Sequence, residues 1–294
     1  MSGSRVLVLG STGMLGQALM LETRMRGHEV VGAARQGAEI VCDLSDPDSC
    51  RNAFLKARPD LVINAAAITD FSLCERDPAL AGAVNGVAPG TLARLSQQTN
   101  SRLIHVSTDH FFLDDGPKAH LECDPVTLVN NYARSKFAGE MNALKAPKSL
   151  VLRTNVVGLK GLRNQPSFAN WVFDVVEGRV DATLFDDYFT SSIGVKAFSS
   201  FLFDAIEAGA TGLLNLAARE VSSKFRFVEA VASATGSPLK NVKRLSVRSL
   251  PVARANSCGL DVSLAESLLG KRMPTLDEVV ADLVIEKRMG NSGL

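Results

Sequence analysis

Neither sign of charge is in excess in this chain: 32 Lys and Arg stand against 31 Asp and Glu over 294 residues, a formal charge of +1. A protein held on nucleic acid by bulk charge is thereby excluded, because no surplus of cations exists to displace counterions. No apolar run approaches the length of a membrane span. The stretch from Arg5 to Leu21 is interrupted by Gly10, Ser11, Thr12, Gly13 and Gly16 and ends without a small-residue cleavage site, so it reads as structure rather than as a signal peptide. The five cysteines (Cys42, Cys50, Cys74, Cys123 and Cys258) are odd in number and form no C-x-x-C. They read as reduced thiols of a cytoplasmic protein, without a disulfide framework. His28, His105, His110 and His120 include no i, i+4 pair, and no metal site is expected. Internal repeats and low-complexity segments are also missing.

What is present is ordinary for a chain that buries a sizeable core, with 46% apolar and 21% charged residues. Near-continuous apolar runs at residues 5–9, 29–34, 61–66, 102–107, 149–154 and 212–217 alternate with helical segments, and a further strand begins around Glu39–Cys42. That alternation predicts a doubly wound parallel sheet covered on both faces, an α/β fold of the Rossmann type. Later segments keep helical spacing at 166–178, 195–206 and 222–235, the last opened by Ser222 or Ser223. A short helix is expected over Leu260–Leu269, stopped by Gly270. Thr275-Leu-Asp-Glu278 reads as a capping box opening a helix to about Met289, before a frayed tail at Gly290–Leu294. The expected division is a dinucleotide-binding domain over 1–157 plus about 186–218. A smaller mixed α/β substrate domain takes about 158–185 plus 219–294.

The first strand runs directly into Gly10-Ser-Thr-Gly13-Met-Leu-Gly16. Gly10 suits the tight turn, Gly13 lets backbone N–H groups approach a pyrophosphate, and Gly16 lets the following helix pack close. The candidate cofactor contacts here are Gly10, Thr12, Gly13, Met14, Leu15 and Gly16. An NAD site places an acid at the end of the second strand. Here that place holds Ala34-Arg35-Gln36. Arg35 can pair with a 2′-phosphate, which favours NADPH, with NADH as the alternative.

The run at 102–107 ends in Ser107-Thr108-Asp109, and Tyr132 follows 24 residues after Thr108, at the start of a helical segment. Tyr132 and Lys136 are i and i+4 and share one face. A phenol with a pKa near 10 is a poor acid–base catalyst at neutral pH, and a neighbouring ammonium lowers that pKa. A hydroxyl on the adjacent strand end can hold the substrate oxygen. Thr108, Tyr132 and Lys136 are thus the candidate catalytic set. Only one other tyrosine, Tyr188, exists in the chain.

The G-x-x-G-x-x-G spacing resembles the extended short-chain dehydrogenase/reductase superfamily, in which a pair like Asp43-Leu44 lies beside the adenine. Asn64-Ala-Ala-Ala-Ile-Thr-Asp70, Glu75-Arg-Asp-Pro78, Asn85-Gly-Val-Ala-Pro-Gly90, Ser107-Thr-Asp-His-Phe-Phe112, Tyr132-x-x-x-Lys136 and Arg153-Thr-Asn155 resemble the dTDP-4-dehydrorhamnose reductase family of sugar-nucleotide reductases. The resemblance implies that Asn64, Ala65, Ala66, Ser107, Tyr132 and Lys136 line the nicotinamide side of the cofactor. It also implies that Thr69, Thr108, Asp109, Tyr132 and Asn155 face the substrate, a nucleotide-linked 4-keto-6-deoxysugar. A homodimer is a further implication, carried by no residue of the sequence.

The chain departs from the family at His110-Phe-Phe112, at Leu128-Val-Asn-Asn131, at Thr190-Ser-Ser-Ile193 and at Arg254-Ala255. The last two leave the sugar open. His110 could face substrate or pack in the core. Arg163, Arg179 and Arg254 are candidates for the nucleotide diphosphate. A dehydratase or epimerase on the same scaffold is the alternative; a dehydratase would need an acid–base pair, typically Asp-Glu, after the Thr, and Asp109 is instead followed by His110. A non-catalytic, cofactor-bound regulatory subunit would have no need of all three catalytic residues.

Overall fold

The computed structural model describes residues 3–159, 167–239 and 242–291. It divides into two compact units. The first comprises Met1–Thr108, Leu128–Arg153 and Ser199–Leu214, and the second Asp109–Thr127, Thr154–Phe198 and Asn215–Leu294.

The first unit is built on a seven-stranded sheet in the order Gly212–Asn215, Leu150–Arg153, Arg102–Val106, Leu61–Asn64, Arg5–Leu9, Glu29–Ala34, Ile40–Val41. Pairing is parallel from Ile40–Val41 across to Leu150–Arg153. Strand order reverses between Arg5–Leu9 and Leu61–Asn64, the topological switch point of a doubly wound sheet. Val, Leu and Ile dominate these strands because both faces are covered: four of five residues in Arg5–Leu9 and all four in Leu61–Asn64 are buried. Leu7, Leu9, Val31, Val62, Leu103 and Val151 share one core with Phe54 and Leu92 from the helices Pro47–Ala57 and Ala88–Thr99.

The helix Asn131–Ala143 starts where the Asn130 side chain accepts a 2.8 Å hydrogen bond from the Ala133 amide. Its buried positions, including Tyr132, Lys136, Glu140 and Ala143, recur every three to four residues, so the face against the sheet carries its titratable groups. Glu140 is fully buried and accepts from Arg153 Nε at 3.0 Å and Nη2 at 2.9 Å, joining the helix to the strand Leu150–Arg153.

The second unit contains a four-stranded sheet ordered Ser222–Ser223, Phe189–Thr190, Ser257–Leu260, Ala119–His120. Asn155–Val157 pairs with Ser192–Gly194, and Ala182–Phe185 with Val242–Leu245. Its core gathers Val172, Phe173, Phe227, Val231, Val280 and Leu283 from three helices. Two helix starts follow the sequence reading: Ser223 caps Lys224–Thr235, and Thr275 and Glu278 exchange side-chain-to-amide bonds at 2.8 and 3.2 Å.

Segments 109–127 and 186–198, expected with the dinucleotide-binding part, group with the second unit. The physical reason is pairing: Ala119–His120 and Phe189–Thr190 both hydrogen-bond to Ser257–Leu260. The helix expected over Leu260–Leu269 is Ser263–Leu269, because Ser257–Leu260 is a strand and Asp261 accepts from the Ser263 amide at 2.9 Å. The last helix runs to Asn291, so Gly290 is helical, and 292–294 lie outside the described residues.

Removing one partner of a buried ion pair strands the other. Glu140→Ala should therefore cost about 3–5 kcal/mol of unfolding free energy in a denaturant titration. A double replacement, Glu140→Leu with Arg153→Met, should recover most of that loss, and a fully destabilised double variant would show that the pair is needed for more than its own burial.

Candidate active site

The turn after the first strand uses its three glycines differently. Gly10 has φ +80°, and a Cβ there would stand 2.9 Å from the Ala66 backbone. The turns after the first and fourth strands therefore touch at the switch point. A Cβ on Gly16 would stand 2.1 Å from the Gly10 carbonyl oxygen, so the helix Met14–Met25 packs this close only without one. Gly13 is another matter. Its backbone is ordinary (φ −77°, ψ 166°), it is exposed, and an added Cβ would meet only the Gly10 oxygen at 3.2 Å. The chain's own demand for a glycine is therefore weaker there than at Gly10 or Gly16, since the Gly10 oxygen would have to give by only a few tenths of an ångström.

Gly13 is the N-cap of that helix, which has no side-chain cap and no acid in its first turn. Outward N–H groups and the positive helix end suit a pyrophosphate. Thr12 is half-buried and its carbonyl accepts from Gln17 Nε2 at 3.0 Å. Met14 is half-buried, and Leu15 packs inward. Asn64, fully buried, accepts from the Ala66 amide at 3.2 Å and meets His105 Nδ1 at 3.1 Å. Ala65 and Ala66 are partly exposed beside it.

Arg35 follows the second strand directly and is exposed. Asp43 lies within its electrostatic reach. The Asp43 carboxyl is held below its usual range by hydrogen bonds from the Ser45 hydroxyl and amide, and further by Arg35. Leu44 points into the core. Glu29 sits at the opposite end of the strand, paired with Arg5.

Lys136 is 2% exposed, and its ammonium donates to the Val106 carbonyl at 2.8 Å. Val106 ends the strand Arg102–Val106, two residues before Thr108. One hydrogen bond thus fixes the helix to the strand end that carries Ser107 and Thr108, both buried. Burial pulls the Lys136 ammonium down to about 8, opposed by Glu140 one turn on. Tyr132, one turn back, packs its ring 4.8 Å from Phe71.

Three residues without an assigned role in the sequence reading hold this arrangement. Asn85 accepts from the Ile68 amide at 2.8 Å and donates to Ser135 at 3.2 Å. Glu75 accepts from the Asn131 amide at 2.7 Å. Asn130 caps the helix. Polar caps before a helix were a readable signal, but the long-range bonds of Asn85 and Glu75 were not.

In the second unit, Asp109 is buried and accepts from Asn155 Nδ2 at 2.8 Å. Ser192 Oγ donates to Asn155 Oδ1 at 2.8 Å. Thr69, in the first unit, is exposed beside Asp70, the cap of the helix Phe71–Arg76. His110 is 2% exposed and its Nε2 accepts from the Ala255 amide at 3.1 Å, a core role. Burial, followed by the charges of Arg254 and Lys224, pulls it down to about 3. Arg179 pairs with Asp174 and Glu177. Arg254 is half-buried near His110, and Arg163 lies outside the described residues. Among the described residues no three His, Cys, Asp or Glu side chains gather as metal ligands, and no helix is long and apolar enough to cross a membrane.

A model of the RmlD substrate binding domain family matches residues 4–289. The chain is 30% identical over 287 residues to the probable low-salt glycan biosynthesis reductase Agl14 of Haloferax volcanii, covering 94% of this chain and 96% of that protein. It is 32% identical over 259 residues to dTDP-4-dehydrorhamnose reductase of Mycobacterium tuberculosis, covering 84% and 81% respectively. Its fold matches the crystal structure of dTDP-4-dehydrorhamnose reductase from Bacillus anthracis in complex with NADP with a TM-score of 0.86. That match has 21% identity and covers 97% of this chain and 99% of the other.

Gly13→Val tests the turn, since packing tolerates a side chain there better than at Gly10 or Gly16. Dinucleotide affinity in a fluorescence titration should fall at least about 10-fold, the loss of a charge-assisted contact or more. The melting temperature should hardly move. Unchanged affinity would put the phosphates elsewhere.

Proposed function

The chain belongs to the RmlD substrate binding domain family, and we propose that it is an NADPH-dependent reductase of a nucleotide-linked 4-keto-6-deoxysugar, acting in glycan precursor synthesis. The observation that carries the reading is the Lys136–Val106 bond, which sets Tyr132 and Lys136 on the helix against the strand end bearing Thr108. The first unit would hold the dinucleotide through the Gly10–Gly16 turn, Arg35, Asp43, Asn64–Ala66, Ser107 and Lys136. The second would take the sugar nucleotide with Asp109 and Asn155. All five cysteines are free, which supports a cytoplasmic setting.

The reduced nicotinamide, when bound, supplies a hydride to the keto carbon. Thr108 donates a hydrogen bond to the keto oxygen and orients it. Tyr132 gives its phenolic proton to that oxygen as negative charge builds there, so the carbonyl becomes a secondary alcohol and a phenolate is left for solvent to reprotonate. The Lys136 ammonium favours that phenolate and makes the proton available near neutral pH. Its burial keeps the charge unscreened.

A dehydratase needs a further acid–base pair beyond the Thr. Asp109 is followed by His110, whose imidazole is buried and bonded to the Ala255 amide, so that pair is not supplied. The intact catalytic trio argues against a purely regulatory subunit.

Oxidation of NADPH by dTDP-4-dehydrorhamnose, compared with GDP- and UDP-linked 4-keto-6-deoxysugars, tests the reading. Tyr132→Phe should lower kcat by about 10²–10⁴ with NADPH affinity nearly unchanged, and Lys136→Met should lower both. The rate should fall as pH rises through about 8, where the Lys136 ammonium deprotonates. A catalytically normal Tyr132→Phe enzyme would remove the mechanism.

Cofactor choice has its own test. NADPH should bind more tightly than NADH, and Arg35→Ala should weaken NADPH by about 10–100-fold, the weight of one charge-assisted pair, while sparing NADH. Equal affinities in the unaltered protein would assign Arg35 to the solvent.

A further inference from the structure

Lys224 is the first residue of the helix Lys224–Thr235, directly after its cap Ser223. The N-terminal end of a helix carries partial positive charge and favours anions, so a lysine there gains nothing from the helix. The side chain also does not run out to solvent. Its ammonium lies 4.6 Å from the centre of the Phe168 ring and 5.6 Å from that of Tyr188. It donates to Ser192 Oγ at 3.4 Å, which uses one of its three protons. Burial pulls it down to about 8 against the upward pull of the Asp109 carboxylate and Cys258. The neighbouring imidazole, His110, is neutral. Lys224 is therefore an ammonium at neutral pH.

The bonds beyond it form a directed string. Lys224 donates to Ser192, Ser192 to Asn155 Oδ1, and Asn155 Nδ2 to Asp109 Oδ2. A cationic donor and an anionic acceptor thus stand at the two ends of one rigid polar array, with two aromatic rings against the donor. A diphosphate fits this poorly, because Asp109 repels it and offsets the charge of Lys224. A hydroxyl fits it well, since it both accepts and donates, and ring faces suit the apolar C–H side of a sugar.

We propose that Lys224 determines specificity for the sugar of the substrate, its ammonium donating to one hydroxyl of the hexose while Asp109 accepts from a hydroxyl. This rests on the sugar-nucleotide reading above and adds to it a residue outside the catalytic trio. An apolar residue would fill the space between the two rings but would leave the buried Asp109 carboxylate without its nearby cation, so ligand titration, rather than the cost of burial, separates a sugar contact from a fold-only role.

Calorimetric titration of the full chain with dTDP and with a dTDP-linked 6-deoxyhexose separates the contributions. Lys224→Met should weaken the 6-deoxyhexose nucleotide by about 10–100-fold, the weight of one hydrogen bond to a charged group. It should leave dTDP within about twofold. In turnover, KM should rise much more than kcat falls. Lys224→Arg, which keeps the charge and the stacking, should retain part of the sugar-dependent gain, and it carries the comparison if Lys224→Met does not fold. Equal losses for both ligands would assign Lys224 to the diphosphate, and no loss for either would make it structural; both overturn the proposal. A wild-type protein that binds neither nucleotide would overturn the sugar-nucleotide reading and this inference together, whereas normal wild-type binding with unaltered variants would overturn this inference alone.

Discussion

The burial of one ammonium group organises the first unit. An unpaired charge taken out of water costs several kcal/mol even after relaxation, so Lys136 must find partners wherever the chain puts it. The Val106 carbonyl supplies a direct one and Glu140, one turn on, supplies negative potential. Glu140 needs a counterion in turn, and Arg153 on the neighbouring strand provides it. The helix is thereby fixed to two adjacent strands by charge, and Tyr132 is carried to its place by helical periodicity alone. His105, in the same strand as Val106, is kept neutral by burial and by the Lys136 charge. The helix face that carries Tyr132, Lys136 and Glu140 can be the buried face because the charges satisfy one another there.

The second unit solves a similar problem with hydroxyls and an amide. Thr190, Ser191 and Ser192 are all 2% exposed or less, and Thr190 and Ser192 bond to one another at 3.0 Å. Asn155 links that row to Asp109 and Lys224 is bonded at its other end. Chains of this kind polarise along their length and cost most when a member is missing. Their interior position explains the lack of apolar alternation in strands as short as Phe189–Thr190 and Ser192–Gly194.

That difference governs how far the sequence could be read. Strands such as Arg5–Leu9 and Leu61–Asn64 announce themselves because a sheet covered on both faces needs unbroken apolar runs. The glycine spacing and the i, i+4 relation of Tyr132 and Lys136 are local, so they survive in the sequence. Asn85, Glu75 and Arg153 act through partners 13 to 56 positions away, and no local pattern marks them. His110 is open in the sequence for the same reason: the Ala255 amide and Cys258 Sγ that hold it lie 145 and 148 residues on. The grouping of 109–127 with the second unit depends on a two-residue strand, Ala119–His120, which is too short to show a period.

Residues that the fold demands less are the informative ones. Gly10 and Gly16 are demanded by the protein, since a side chain at either collides with its own backbone. Their presence would follow from the βα packing even without a ligand. Gly13 has ordinary torsions and one close neighbour, the Gly10 carbonyl oxygen at 3.2 Å from an added Cβ, so the chain demands a glycine there less than at Gly10 or Gly16, and a pyrophosphate against the bare backbone is the proposed reason for it. Lys136, buried, and Lys224, half-buried, both place an ammonium among fixed partners. Lys136 joins helix to strand through a main-chain carbonyl, a bond that serves the fold and, on the proposed mechanism, the chemistry as well. Lys224 makes one long bond to a serine hydroxyl, lies against two aromatic rings and supplies positive potential to the buried Asp109 carboxylate. On the proposed reading, Gly13 and Lys224 are the two positions at which a ligand would complete what the chain begins, a close approach to bare backbone at one and a hydrogen bond at the other.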